Sequence, residues 1–225
     1  MIPIHDKSAP SLKAPHIIWV IIGINVFAHI FIRGNEDLVH SLGVIPSHVL
    51  DGHNWFTLLT SLFVHADWTH LIGNMWFLLL FGDNLEDMLG RYKFTCFYLL
   101  VGALSVLFYV LTTLGSVSLG VPLIGSSGAI SGLLGAYLIV YPRNRITLWM
   151  FFINVRTFSL SAKTYILLWF VFQLFYFYFN SSRIAYGAHI GGFFAGVFLI
   201  HLFKGNTTRK DFRVTGETVF EESVY

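Results

Sequence analysis

The sequence predicts an all-α polytopic membrane protein, a bundle of six transmembrane helices with both termini on the cytoplasmic side. Three observations predict it. Of 225 residues, 55% are hydrophobic and only 12% are charged, and the mean hydropathy is +0.67. A soluble domain of this length has no interior large enough to hide so much apolar surface. The apolar residues, 23 Phe among them, lie in long continuous runs of helix length, whereas a lipid-facing barrel requires alternation. The third observation is the placement of cations. With six spans, one side of the membrane receives Lys7, Lys13, Arg91, Lys93, Arg143, Arg145, Arg156, Lys163, Lys204, Arg209, Lys210 and Arg213, and the other only Arg33 and Arg183. Twelve cations against two is a strong positive-inside bias, and one span more or fewer would scramble it.

The elements follow in order. Residues 1–15 are a short polar cytoplasmic lead. The first span covers about 16–32; no small-residue cleavage site follows it, so it is expected to stay as a signal anchor. The connection 33–69 is too polar to span and too apolar for a plain loop. In it Trp55, Leu58, Leu59, Leu62 and Phe63 repeat at i, i+3, i+4, i+7 and i+8, the stripe of a helix lying in the interface. The second span, about 70–89, runs into Gly-Asp-Asn-Leu-Glu-Asp, and the third covers 93–115. The fourth, 125–141, is ended by Pro142. Residues 143–162 read as an interfacial connection in which Arg143, Arg145 and Arg156 bracket an apolar run. The fifth span, 163–180, is rich in Phe, and the sixth covers 185–203. A membrane domain of 16–204 is followed by a polar cytoplasmic tail, 205–225, whose composition suits disorder. The lone Cys96 in an apolar run reads as a buried spectator thiol.

The six-span arrangement brings three sets of polar side chains to one depth. Spans two, four and six all enter from the outer face, so His70 and Asn74, Ser127, and His189 share the outer level. Ser127 opens span four, where backbone N–H groups lack intrahelical partners and the helix dipole is positive. Gly128, Gly132, Gly135 and Ala136 form a small-residue face on that span, and Gly192 and Gly196 lie on the face of His189. If the two faces pack together, Ser127 meets His189, and a hydroxyl within reach of an imidazole is the minimum for nucleophilic acyl transfer. A histidine in a membrane helix serves either as interhelical glue or in chemistry, and chemistry is the better default. His70 and Asn74, at i and i+4, suit fixed donors to an oxyanion; interhelical glue is the alternative for Asn74. His65 and His70 are five apart and do not share a helical face, so a metal site is not expected. Glu86 and Asp87 sit at the far end of span two and read as stabilisers of the helix end or of the loop between spans two and three. Asp67 lies on the right side but in the connection. The chemistry expected is a dyad without a carboxylate.

Together these residues resemble the rhomboid family of intramembrane serine proteases, over about 16–204. The resemblance rests on Gly125-Ser126-Ser127-Gly128 as the family's Gly-x-Ser-Gly; on His65, His70 and Asn74 entering span two; on Gly187-Ala188-His189 followed by Gly192 and Gly196; and on Gly82, Glu86 and Gly90 as the span-two ending. It implies Ser127 as nucleophile, His189 as general base, and His70, Asn74 and the Ser127 N–H as the oxyanion hole. It implies no metal, no cofactor and no nucleic-acid partner. The substrates it implies are transmembrane helices of other proteins, unwound locally in the lipid bilayer and cut near the outer face. Water would reach Ser127 through a polar cavity lined by His65, His70, Asn74 and Ser126, and the Phe-rich fifth span either gates lateral entry or simply faces lipid. Two positions depart from the family pattern. Trp55-Phe56 stands where many members have Trp-Arg, and Ser131 stands where some have an aromatic supporting the imidazole, so His189 must be held in another way. A catalytically inactive adaptor that binds transmembrane helices is the alternative; loss of Ser127 or His189 would have favoured it, and both are present. A channel or transporter predicts polar groups through the whole membrane depth, and here they gather at one level. The expected location is a bacterial inner membrane, with the active site towards its outer face.

Overall fold

The computed structural model describes residues 2–6, 14–115, 117–150, 156–179 and 185–205. The cations Lys7, Lys13, Arg183, Arg209, Lys210 and Arg213 and nearly all of the polar tail lie outside them. Six long helices dominate: α1 (His16–Ile32), α5 (Trp68–Leu89), α6 (Arg91–Thr112), α7 (Ser127–Val140), α8 (Ala162–Phe179) and α9 (Tyr186–Phe203). The connection between the first two long helices holds three short ones, α2 (Glu36–Leu42), α3 (Pro46–Leu50) and α4 (Thr57–Thr60), the last running into a 3-10 turn, Ser61–Phe63. By length and composition α6, α8 and α9 are each able to cross a membrane, while α1 and α7 are apolar but shorter. Helix α5 has 22 residues, and its last two turns carry Asp83, Glu86 and Asp87.

The all-α expectation is corrected by a small antiparallel sheet in the order β1-β2-β3, formed by β1 (Ile2–Asp6), β2 (Arg145–Met150) and β3 (Arg156–Ser161). The hairpin lies where the sequence reads as an interfacial connection, and its residues alternate with a period of two. Ile146 faces Leu160 and Leu148 faces Phe158 across the pair, and these four pack against the helices. On the other face Thr147 Oγ1 lies 3.3 Å from Ser159 Oγ. Four apolar residues in cross-strand register bury one side of a ribbon, which a disordered connection cannot do. Strand β1 lies within the polar lead. It is tied to the bundle by Trp76 Nε1, which donates to the Pro3 carbonyl at 2.6 Å. Asn84 Nδ2 also donates to the buried Asp6 carboxylate at 2.9 Å, and the Tyr137 hydroxyl donates to the same oxygen.

The expected interfacial helix is also modified, and Cys96, expected to be buried, is exposed on α6. Leu58 and Leu62 are buried in a second apolar cluster with Val44, Val49, Val106 and Val110, whereas Trp55 and Leu59 are exposed. Packing against α6 takes only part of the apolar stripe, and the helix is correspondingly short.

Helix α7 is the axis of the bundle, with every residue from Gly128 to Tyr137 buried. Its small-residue face meets that of α9 at backbone distance. A methyl group on Gly192 would fall on the Gly128 carbonyl, and one on Gly135 on the Phe193 carbonyl. Glycine is required there because two helix backbones occupy the space of its side chain. At the opposite end of the bundle from Ser127, the Glu86 carboxylate accepts from the backbone N–H of Ile17 at 2.9 Å and of Ile18 at 3.0 Å. It closes the first turn of α1, satisfying donors that the helix itself leaves open. Helix α8 is the least enclosed of the long helices, with only Ala162, Ile166 and Gln173 buried; Phe172, Phe175, Phe177 and Phe179 are exposed.

Candidate active site

The site is built where α5, α7 and α9 begin. Gly125 holds φ at +110°, a conformation that side chains of L-residues rarely adopt, and its N–H donates to the Ser61 carbonyl at 2.9 Å. This turn sets Ser126 at the N-cap and Ser127 as the first residue of α7. The first helical hydrogen bond of α7 is Ile130 N–H to the Ser126 carbonyl, 3.0 Å, and no side chain caps the turn. The N–H groups of Ser127, Gly128 and Ala129 therefore precede the helical ladder and point out of its positive end.

Close packing of α7 on α9 brings Ser127 and His189 together: Ser127 Oγ lies 2.8 Å from His189 Nε2. The other imidazole nitrogen, Nδ1, lies 2.7 Å from Gln173 Oε1 on α8. The Trp169 ring stands 6.2 Å from the His189 ring, and Tyr186 meets it edge-on at 6.0 Å. Ser131, where an aromatic support is absent, donates its hydroxyl to the Ser127 carbonyl at 2.7 Å.

The expected oxyanion donors converge beside Gly125. The point where a Cβ would stand on Gly125 is 2.8 Å from His70 Nε2 and 3.7 Å from Asn74 Nδ2. Only the missing side chain leaves that space open. Asp67 is the N-cap of α5, its carboxylate accepting from His70 N–H at 2.8 Å; that N–H holds the Asp67 carboxyl below its ordinary range. Asp67 thus fixes the turn that carries His70 and is no partner of His189.

His65 lies behind Asn74. Its Nε2 is 2.9 Å from Asn74 Nδ2 and 3.4 Å from Ser126 Oγ, and its ring meets that of His70 at 5.0 Å. Burial, with the nearby His70 and His29, pushes the His65 pKa down to about 3. The ring is therefore neutral at ordinary pH, and its Nε2 accepts a hydrogen bond from the Asn74 amide. That bond leaves the second N–H of the amide for a ligand. Among the described residues, no group of three or more His, Cys, Asp or Glu is placed to hold a metal ion.

Sequence reasoning missed Gln173, Asn25 and His29. All three are buried polar side chains in apolar helices, the same signal that singled out Asn74. Asn25 and His29 share a face of α1, and His29 packs edge-on against Trp68 at 4.6 Å.

Residues 52–205 match the family described as Rhomboid domain. The chain belongs to the rhomboid family. It is an integral, multi-pass membrane protein. Among the relatives of this rhomboid, the chloroplastic Rhomboid-like protein 11 of Arabidopsis thaliana is 29% identical over 140 residues, 60% of this chain and 45% of that protein. The putative rhomboid protease YdcA of Bacillus subtilis is 39% identical over 85 residues, 37% of this chain and 40% of that protein. Rhomboid protease GluP of the same organism is 30% identical over 165 residues, 73% of this chain and 29% of that protein. The chain spans less than half the length of each of these relatives.

Proposed function

We propose that this rhomboid is an intramembrane serine endopeptidase that cuts transmembrane helices of other proteins near the outer membrane face. The observation that carries this reading is the 2.8 Å approach of Ser127 Oγ to His189 Nε2. In the proposed reaction Ser127 Oγ attacks the scissile carbonyl carbon as its proton passes to His189 Nε2. The carbonyl oxygen becomes an oxyanion held by Ser127 N–H, His70 Nε2–H and Asn74 Nδ2–H. The C–N bond then breaks as His189 returns the proton to the leaving amine. Water, activated by the same imidazole, hydrolyses the acyl-enzyme and restores Ser127.

The proposed topology has six spans formed by α1, α5, α6, α7, α8 and α9, within a membrane domain of 16–204. The lead and tail are cytoplasmic and the Ser127 end faces outward. The cation bias supports this orientation. The acids of α5 sit at its cytoplasmic end, where Glu86 is engaged by the N-terminus of α1. A bacterial cell membrane is the proposed location; the relatives include two Bacillus subtilis proteins and a chloroplastic one.

The test is cleavage of a generic transmembrane-helix substrate by the protein purified in detergent, beside Ser127→Ala and His189→Ala, together with fluorophosphonate labelling. Cleavage and labelling by the parent, and cleavage by neither variant, is the expected result. Cleavage that survives Ser127→Ala would refute the assigned nucleophile. A folded parent that neither cleaves nor labels would favour an adaptor that binds transmembrane helices.

A further inference from the structure

Three polar side chains from three helices form one chain of contacts: Ser127 on α7, His189 on α9 and Gln173 on α8. Gln173 is 8% exposed on a helix whose neighbouring side chains Phe172, Leu174 and Phe175 are exposed. An amide buried among aromatics is costly unless both of its ends are bonded. Both are. Gln173 Nε2 donates to the Trp169 carbonyl, one helical turn back, at 3.4 Å, and Gln173 Oε1 lies 2.7 Å from His189 Nδ1.

The orientation of this amide decides the state of the imidazole. Its NH2 end faces a carbonyl, which only accepts, so its oxygen faces His189. An amide oxygen also only accepts, so His189 Nδ1 must carry the proton. The lone pair then resides on Nε2 and faces the Ser127 hydroxyl, the one tautomer able to take the nucleophile's proton. We infer that Gln173 is the positioning residue of the Ser127–His189 pair, holding the imidazole in the Nδ1–H tautomer and in reach of Ser127 Oγ. It performs the orienting part of what a buried aspartate does in a Ser-His-Asp triad, without supplying a charge to the imidazolium. The titratable groups that face His189 are His70 from α5 and Tyr186 from its own helix, and neither is bonded to Nδ1. The missing aromatic at Ser131 is thereby offset from a different helix.

This inference rests on the proposed dyad, and its test separates the two. Gln173→Met keeps the length and removes the acceptor; Gln173→Glu keeps an acceptor oxygen. Full-length protein in detergent is assayed for kcat and KM on a transmembrane-helix substrate, and for the rate at which a fluorophosphonate labels Ser127. Gln173→Met is expected to lose roughly 10- to 100-fold in both kcat and labelling rate, with KM little changed. Gln173→Glu is expected to recover most of that loss, which a mere packing role would not produce. Parental rates in Gln173→Met would overturn the inference, as would a Gln173→Glu protein no faster than Gln173→Met. Should Gln173→Met fail to fold, Gln173→Glu decides alone: labelling well above that of His189→Ala supports the role, and labelling equal to it refutes it. A parent that does not label at all refutes the dyad instead.

Discussion

The carbonyl oxygen of Gly132 occupies the space that a side chain on Gly196 would need. This contact, one turn below Gly192 over Gly128, sets the depth and rotation of α9 against α7. It therefore sets the 2.8 Å separation of Ser127 and His189 from two turns away. Gly196→Val is expected to push the helices apart. Overpacking of this kind costs about 1–3 kcal/mol, and a displacement of about 1 Å at the dyad costs on the order of 100-fold in rate. Thermal unfolding and cleavage measured on the same sample check both; a variant that is less stable yet fully active would separate the helix contact from the alignment of the dyad.

Gly125 carries a second constraint of a different kind. Its φ of +110° strains any other residue, and a methyl group would stand 2.7–2.8 Å from the His70 ring, in the space where the proposed oxyanion donors converge. Gly125→Ala is expected to be destabilised by about 1–2 kcal/mol. It is also expected to lose about 100-fold or more in kcat, as when an oxyanion donor is displaced. The comparison of kcat with unfolding temperature checks this, and a loss of stability with kcat intact would remove His70 from the oxyanion hole.

Asn74 and His65 act through one hydrogen bond of 2.9 Å. Asn74→Ala is expected to lower kcat about 10²- to 10³-fold, the usual effect of losing one oxyanion donor. His65→Leu leaves the Asn74 amide in place but unaimed, and its loss should be smaller. Since His65 works through Asn74, the double variant should be no slower than Asn74→Ala alone. Multiplicative losses in a double-mutant cycle would mean that His65 contributes independently.

Much of this was legible in the residues, because spacing on a helix is rigid information. Ser127 with Gly128, Gly132 and Gly135, and His189 with Gly192 and Gly196, define faces whose packing admits few solutions. The six long helices follow from continuous apolar runs. The β2–β3 hairpin was hidden because Leu148 and its neighbours read as one apolar run, while their pairing partners Phe158 and Leu160 lie a full connection away. Gln173 was hidden by company: a single amide among Phe and Tyr reads as part of a lipid-facing helix until α9 is placed beside it. His29 and Asn25 were overlooked for the same reason, since an apolar average conceals two polar side chains one turn apart.

The neutral state of His65 has a consequence for stability. Its pKa is about 3 in the folded protein against an ordinary 6.5, so between these values the unfolded chain takes up a proton that the folded chain refuses. Stability must then rise with pH across that window. The contribution is complete above about pH 6.5 and is lost progressively as pH falls towards 3. The parent is therefore expected to unfold at lower temperature at pH 4.5 than at pH 7, and His65→Leu should show a shallower fall over the same interval. The slope is the diagnostic quantity, because the substitution itself shifts the absolute stability. Equal slopes in the two proteins would show that His65 is protonated with ordinary affinity in the folded state. In that case the neutral ring that accepts the Asn74 amide would persist only above about pH 6.5, and the aiming of Asn74 would be lost with ordinary histidine protonation as the pH falls.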